Sequence, residues 1–153
     1  MIPNYNYPDS TSIVLTISYK DGDGNIGLEE ADSLPPYMQD TLGHETGVSG
    51  TWNLNRFANN VWIDYFQKFN GVYSIPVKLF TTLDTLRSWD VRVGNLTPDG
   101  THKAIRGDIQ VTLNALTHAY PFRSDTVKLK VRLVDRALNV SNEVESPDLI
   151  VRP

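Results

Sequence analysis

The sequence predicts an all-β protein, an antiparallel immunoglobulin-like β-sandwich of about seven strands with a long irregular insertion. Three observations lead there. Apolar and polar residues alternate with a period of two in several separate segments, as half-buried strands require. Turn chemistry recurs between them, including Asn70-Gly71 and Asn95-Leu96-Thr97-Pro98-Asp99-Gly100. No segment sustains the 3.6-residue period of an amphipathic helix, although 83–89 allows a single helical turn.

In chain order, residues 1–11 are polar and proline-containing and read as a tether. The rest, 12–153, reads as one domain. Ile13, Leu15, Ile17 and Tyr19 share one face of a first strand, with Val14, Thr16 and Ser18 on the other. Residues 28–59 hold breakers and little periodicity, so they read as an insertion or binding loop. Strands follow at 61–66 and 72–80, joined by Asn70-Gly71, with Pro76 marking an edge or a bulge. Further strands are expected at 89–93, 105–113 and 126–135, and 149–151 reads as a short closing strand.

Length and composition narrow the functional classes. A chain of 153 residues can bury one core without covalent staples, and 40% hydrophobic with 21% charged residues is a globular balance. The net charge of −4 and the scattering of 14 Lys and Arg residues argue against nucleic-acid binding. With no cysteine, disulfides, thiolate catalysis and Cys-ligated metals are excluded together. No apolar run reaches the roughly 20 residues of a membrane span, and the N-terminus lacks the basic and apolar regions of a signal peptide.

The chemistry concentrates in two turns. Asp21-Gly22-Asp23-Gly24-Asn25-Ile26-Gly27 ends the first strand, and Asp135-Arg136-Ala137-Leu138-Asn139-Val140-Ser141-Asn142 ends the last long one. Alternating acids and glycines let oxygens converge, with glycine supplying the positive φ values of a tight cradle. The EF-hand pattern does not fit: the sixth position is Ile26 in place of glycine, and the twelfth is Asp32 in place of glutamate. Carboxylates about 4 to 5 Å apart repel by roughly 3 to 4 kcal/mol per pair at an effective dielectric near 20. A hard cation relieves this, and an oxygen-only donor set selects calcium over zinc. The expected metal ligands are therefore Asp21, Asp23 and Asp135, supported by Asn25 and Asn139. The competing reading makes both turns ordinary solvated loops, with each carboxylate in an Asx turn and Arg136 paired to a nearby acid.

Four segments together resemble a family of surface lipoproteins from Bacteroidetes-type bacteria: residues 15–28 around Asp21-Gly22-Asp23-Gly24, 60–66, 96–109, and 135–142. The last also resembles the closing strand of immunoglobulin-like modules in bacterial adhesins. The family pattern often has Asp at position 25 and Gly at position 138. The resemblance implies a cell-surface or outer-membrane location and attachment through an N-terminal lipid on a cysteine. The lack of that cysteine here is read as a leader already removed. The resemblance supplies no defined activity.

Catalytic constellations are thin. His44, His102 and His118 are isolated, Gly47-Val48-Ser49-Gly50 lacks the nucleophile-elbow spacing, and Asp64, Asp90 and Asp108 offer only a generic carboxylate pair. A non-catalytic domain is expected. It would serve as a structural or protein-interaction component of an outer-membrane assembly, with surface proteins as partners. The alternative is a carbohydrate-binding module that stacks sugars on aromatics of the insertion, Trp52 and Tyr37, with a glycan as ligand. Trp62, Tyr65, Tyr73 and Trp89 are expected to be mostly core residues.

Overall fold

The structure, a computed structural model, describes residues 12–38, 56–74, 90–97, 103–114 and 126–150. Among these residues it is all-β, with strands β1 (Ser12–Asp21), β2 (Val61–Phe69), β3 (Val72–Ser74), β4 (Ile105–Asn114), β5 (Thr126–Leu133), β6 (Val144–Glu145) and β7 (Leu149–Ile150). One 3₁₀ turn, Arg56–Ala58, precedes β2. All strand pairs are antiparallel. One sheet is β1-β4, and the other runs β3-β2-β5-β6 with β7 also on β5.

Period-two alternation becomes a shared core because the registers align the apolar faces. On the first sheet Ile17 stands opposite Ile109, Leu15 opposite Val111 and Ile13 opposite Leu113. On the second, Val61 pairs with Leu133, Ile63 with Val131 and Tyr65 with Leu129. Inward residues of both sheets form one buried cluster, which makes the architecture a sandwich. Ile63 and Leu129 are fully buried, each stabilising the fold by about 1.5–3 kcal/mol relative to exposure. A one-residue slip of either register would turn these side chains to the solvent, so the pairing is strongly specified.

The hairpin at Asn70-Gly71 forms as expected, with φ of 50° and 82° at its two central residues. Positive φ at both is the signature of a type I′ turn, which matches the twist of the flanking strands. Two expectations differ from the structure. The strand expected at 89–93 is reduced, among the described residues, to a single bridge of Val91 with Val61, and Val93 is held by the Leu28 N–H and by the side chain of Asn60. In addition, residues 144–145 pair as β6, a strand too short to show periodicity. Pro76 and the 83–89 turn lie outside the described residues.

Asn60 replaces the missing strand pairing. It is 2% exposed; its Nδ2 donates to the Val93 carbonyl at 2.9 Å, and its Oδ1 accepts from the Val93 N–H at 2.7 Å. Its backbone carbonyl accepts from the Val134 N–H at 2.9 Å. One amide thus joins residues 91–93 to β2 beside the start of the second turn. Asn60→Ala would leave the Val93 N–H unpaired and strip its carbonyl of one of two donors, so a loss of about 2–3 kcal/mol is expected. That corresponds to a fall of about 5–15 °C in melting temperature, measurable by circular dichroism.

Candidate functional site

The two acidic turns meet. Ile26 and Asp135 form an antiparallel bridge, and the Arg136 N–H donates to the Asn25 carbonyl at 3.2 Å. The first turn leaves β1 at one end of the first sheet, and the second leaves β5 at the same end of the other. Backbone pairing between the sheets therefore occurs where their acids lie.

Each turn is braced from outside. The Thr97 hydroxyl donates to the Gly24 carbonyl, and the Leu96 N–H donates to the Ile26 carbonyl at 3.3 Å. The Tyr37 hydroxyl donates to the Arg136 carbonyl, while the Arg136 guanidinium reaches Asp32 at 2.5 Å and Glu29 at 3.7 Å. Arg136 thus turns away from Asp21 and Asp23 toward the acids of residues 29–32. Gly24, at φ 72°, lies so close to Lys103 that an added Cβ would sit 2.3 Å from its carbonyl oxygen. Gly27, at φ 120°, would place a Cβ 2.4 Å from the Asn95 Cα. Gly22 has neither a positive φ nor a neighbour within 4 Å, so the expectation that it shapes the cradle is corrected.

Asp21 is buried at 9% exposure. Its Oδ2 accepts from the Ile26 N–H at 3.1 Å and its Oδ1 from the Asp23 N–H at 3.4 Å. Asp23 is exposed, and its Oδ2 accepts from Asn25 Nδ2 at 3.0 Å. Asp135 holds Asn139 through both oxygens, from its N–H and its Nδ2, each at 2.8 Å. Asn25 Oδ1 is buried and accepts no hydrogen bond.

Electrostatics ties these groups together. Burial works to raise the Asp21 carboxyl, but hydrogen bonds from the Asp23 side chain and from neighbouring N–H groups leave it lowered. Asp23 is raised, first by the neighbouring Asp21 carboxyl, then by partial desolvation and by the Asp21 and Asp135 charges. The opposite shifts of Asp21 and Asp23 are the response of adjacent carboxylates to each other's charge. No three acidic or histidine side chains among the described residues stand in ligating positions. The carboxylate oxygens instead accept from backbone N–H groups and asparagine amides.

A second polar cluster lies on the outer face of the larger sheet. Arg56 Nε reaches Asp90 at 2.7 Å and Arg56 Nη2 reaches Asp64 at 2.8 Å; Arg132 holds the other Asp64 oxygen at 2.9 Å. Burial raises the Asp90 carboxyl, partly offset by Arg56. Its Oδ1 also accepts from the Ile63 N–H at 2.9 Å, so the group clamps residue 90 to β2. Asp108 is apart from this pair, accepting from the Ser18 hydroxyl at 2.7 Å on the other sheet. Trp62 is buried on the outer side of β2, under the Arg56 guanidinium at 4.7 Å and against the edge of Phe57. Tyr65 is in the core, and Lys68 and Lys128 lie over the Tyr73 ring. The basic residues at every second position of β5 (Lys128, Lys130, Arg132) are the sequence signal for this face. Trp52, Trp89, His44, His102 and His118 lie outside the described residues.

No family model matches the chain, and no curated protein or solved structure gives a significant match.

Five substitutions test this geometry. Gly24→Ala and Gly27→Ala should each destabilise by about 1–3 kcal/mol from strain and close contact, while Gly22→Ala should be near neutral in chemical denaturation. Leu138 holds φ at 67°, a conformation that costs an L-residue about 1–2 kcal/mol. Leu138→Gly should therefore raise stability, by about 0.5–1 kcal/mol after the added unfolded-chain entropy. Asp23, raised in the folded state, stabilises the fold below its unfolded pKa, and this contribution is lost as pH climbs through the raised value. Asp21, lowered, acts in the opposite sense, its contribution being lost as pH falls. In chelator at pH 7, Asp23→Asn should raise the melting temperature and flatten its decline as pH climbs above the ordinary carboxylate range. A lower melting temperature for this variant would show that Asp23 is not under like-charge stress.

Proposed function

We propose that this chain is a non-catalytic cell-surface domain whose two acidic turns share a calcium ion. It would serve as a structural or protein-interaction component of an outer-membrane assembly. The observation that carries the ion is the Ile26–Asp135 bridge, which joins the two acidic turns, together with the Asn25 Oδ1 buried there without a donor. A hard cation suits such a set: it takes oxygen ligands and removes the repulsion between carboxylates. Asp21, Asp23 and Asp135 would supply the charge, with Asn25 and Asn139 supplying amide oxygens. Because the turns belong to different sheets, an ion between them would staple the sandwich, the role a disulfide fills in cysteine-containing domains. The surface location and the immunoglobulin-like reading of the strand order are supported by the resemblance described above.

Thermal melting in excess chelator and then in about 1 mM calcium tests the ion. For a dissociation constant near 10 μM, linkage gives about 2.7 kcal/mol of stabilisation, or about 5–10 °C for a domain of this size. Asp21→Ala and Asp135→Ala should each abolish the shift. An unchanged melting temperature across calcium concentrations would return both turns to solvated loops.

A further inference from the structure

A groove of about 340 Å³ opens on one side of the sandwich, ending at the acidic turns. Five consecutive residues of β1, from Ile17 to Asp21, line it. Successive strand side chains point to opposite faces, so an unbroken run can border a cavity only along its backbone edge. Among the described residues β1 pairs with β4 alone, on its other edge. The groove floor is Val131 and Leu133 of β5, and its far rim carries Val140 and Val144, both partly exposed at 43% and 47%. At its end lie Asp21 and Asp135, with Asp23 beside Asp21, its N–H donating to the Asp21 Oδ1 at 3.4 Å.

An open strand edge above an apolar floor is the template for β-strand addition. The bordering run of β1 spans about 16 Å, which fits about five residues of extended chain. Backbone groups of a guest strand would pair with the β1 edge, and alternate side chains would reach Val131 and Leu133. The acidic end selects the guest's terminal residue: Lys20 also lines the groove, but among the described residues neither Asp21 nor Asp135 forms an ion pair, so a lysine or arginine there would meet unpaired carboxylates.

We infer that this groove binds an extended segment of a partner protein, with apolar side chains alternating along it and a basic residue seated at Asp21, Asp23 and Asp135. The inference rests on the interaction-domain reading given above. It does not require the ion, since ammonium and calcium compete for the same carboxylates.

The test uses a fluorescent seven-residue peptide of alternating valine and threonine ending in lysine, and the same peptide ending in glutamine. Anisotropy in chelator should show the lysine peptide binding about tenfold more tightly. Asp23→Asn, at an exposed position, should reduce that ratio, and about 1 mM calcium should weaken the lysine peptide more than the glutamine one. Hydrogen exchange should show new amide protection confined to β1 within residues 17–21. Equal affinity of the two peptides, or no binding by either, would overturn the inference. So would protection of those amides in the free protein, meaning that the chain covers its own edge, or a dimer in sedimentation that peptide dissolves. Failure to bind alongside a calcium-induced rise in melting temperature removes the groove and leaves the ion. Peptide binding with no calcium effect on melting removes the ion and leaves the groove.

Discussion

The bridge between Ile26 and Asp135 is the contact on which the acidic end of this sandwich depends. Two sheets packed face to face share side chains and not backbone hydrogen bonds, so their ends are free to separate. Here the turn leaving β1 and the turn leaving β5 pair directly, with the Arg136 N–H donating to the Asn25 carbonyl. That pairing fixes the spacing between sheets and brings the acidic turns within range of each other's charge. Thr97, Tyr37 and the Arg136–Asp32 ion pair hold the bridge from outside without neutralising Asp21 or Asp23. The Asp21 and Asp135 charges both act to raise the Asp23 carboxyl.

The outer face of the larger sheet solves a similar problem differently. Lys128, Lys130 and Arg132 project from one strand, where like charges two residues apart would repel. They are separated by the aromatic rings of Tyr73, Phe66 and Trp62 and answered by Asp148, Glu145, Glu143 and Asp64. Exposed pairs of this kind are each worth little. Their combined effect is to cover the sheet with matched charge, whereas the acidic turns offer no matching cation among the described residues.

Much of the fold was legible because strand burial has a period of two. Ile13 to Tyr19, Ile63 to Tyr65 and Val127 to Leu133 declare their inward faces by composition alone, and Asn70-Gly71 declares its turn through the φ values it tolerates. Other features were hidden because they depend on contacts distant in sequence. Nothing local marks Asn60 as the partner of Val93, or Arg56 as the clamp on Asp64 and Asp90. The alternation that marks Trp62 as a strand residue does not say which face it occupies, and a large aromatic under arginine is as buried as one in the core. The glycines of the first turn were only partly legible. Gly24 meets Lys103, just before β4 and some 80 residues later, and Gly22 meets nothing, a difference that spacing cannot encode. Strand polarity allowed the two acidic turns to end on the same side of the sandwich, but nothing in the sequence showed that they touch. The bridge that joins them required the three-dimensional register.

Leu138 shows how the two turns constrain each other. It holds a left-handed conformation that would suit glycine, one residue before the asparagine locked onto Asp135. The turn keeps its shape because both Asp135 oxygens and the bridge to Ile26 over-determine it. We propose that this constraint serves a single shared cation. Calorimetric titration of calcium into the chelator-treated protein is the decisive measurement. One ion per chain is expected, with binding lost when either Asp21 or Asp135 is replaced by alanine. No binding heat, or binding that survives alanine at one of the two positions, would contradict it.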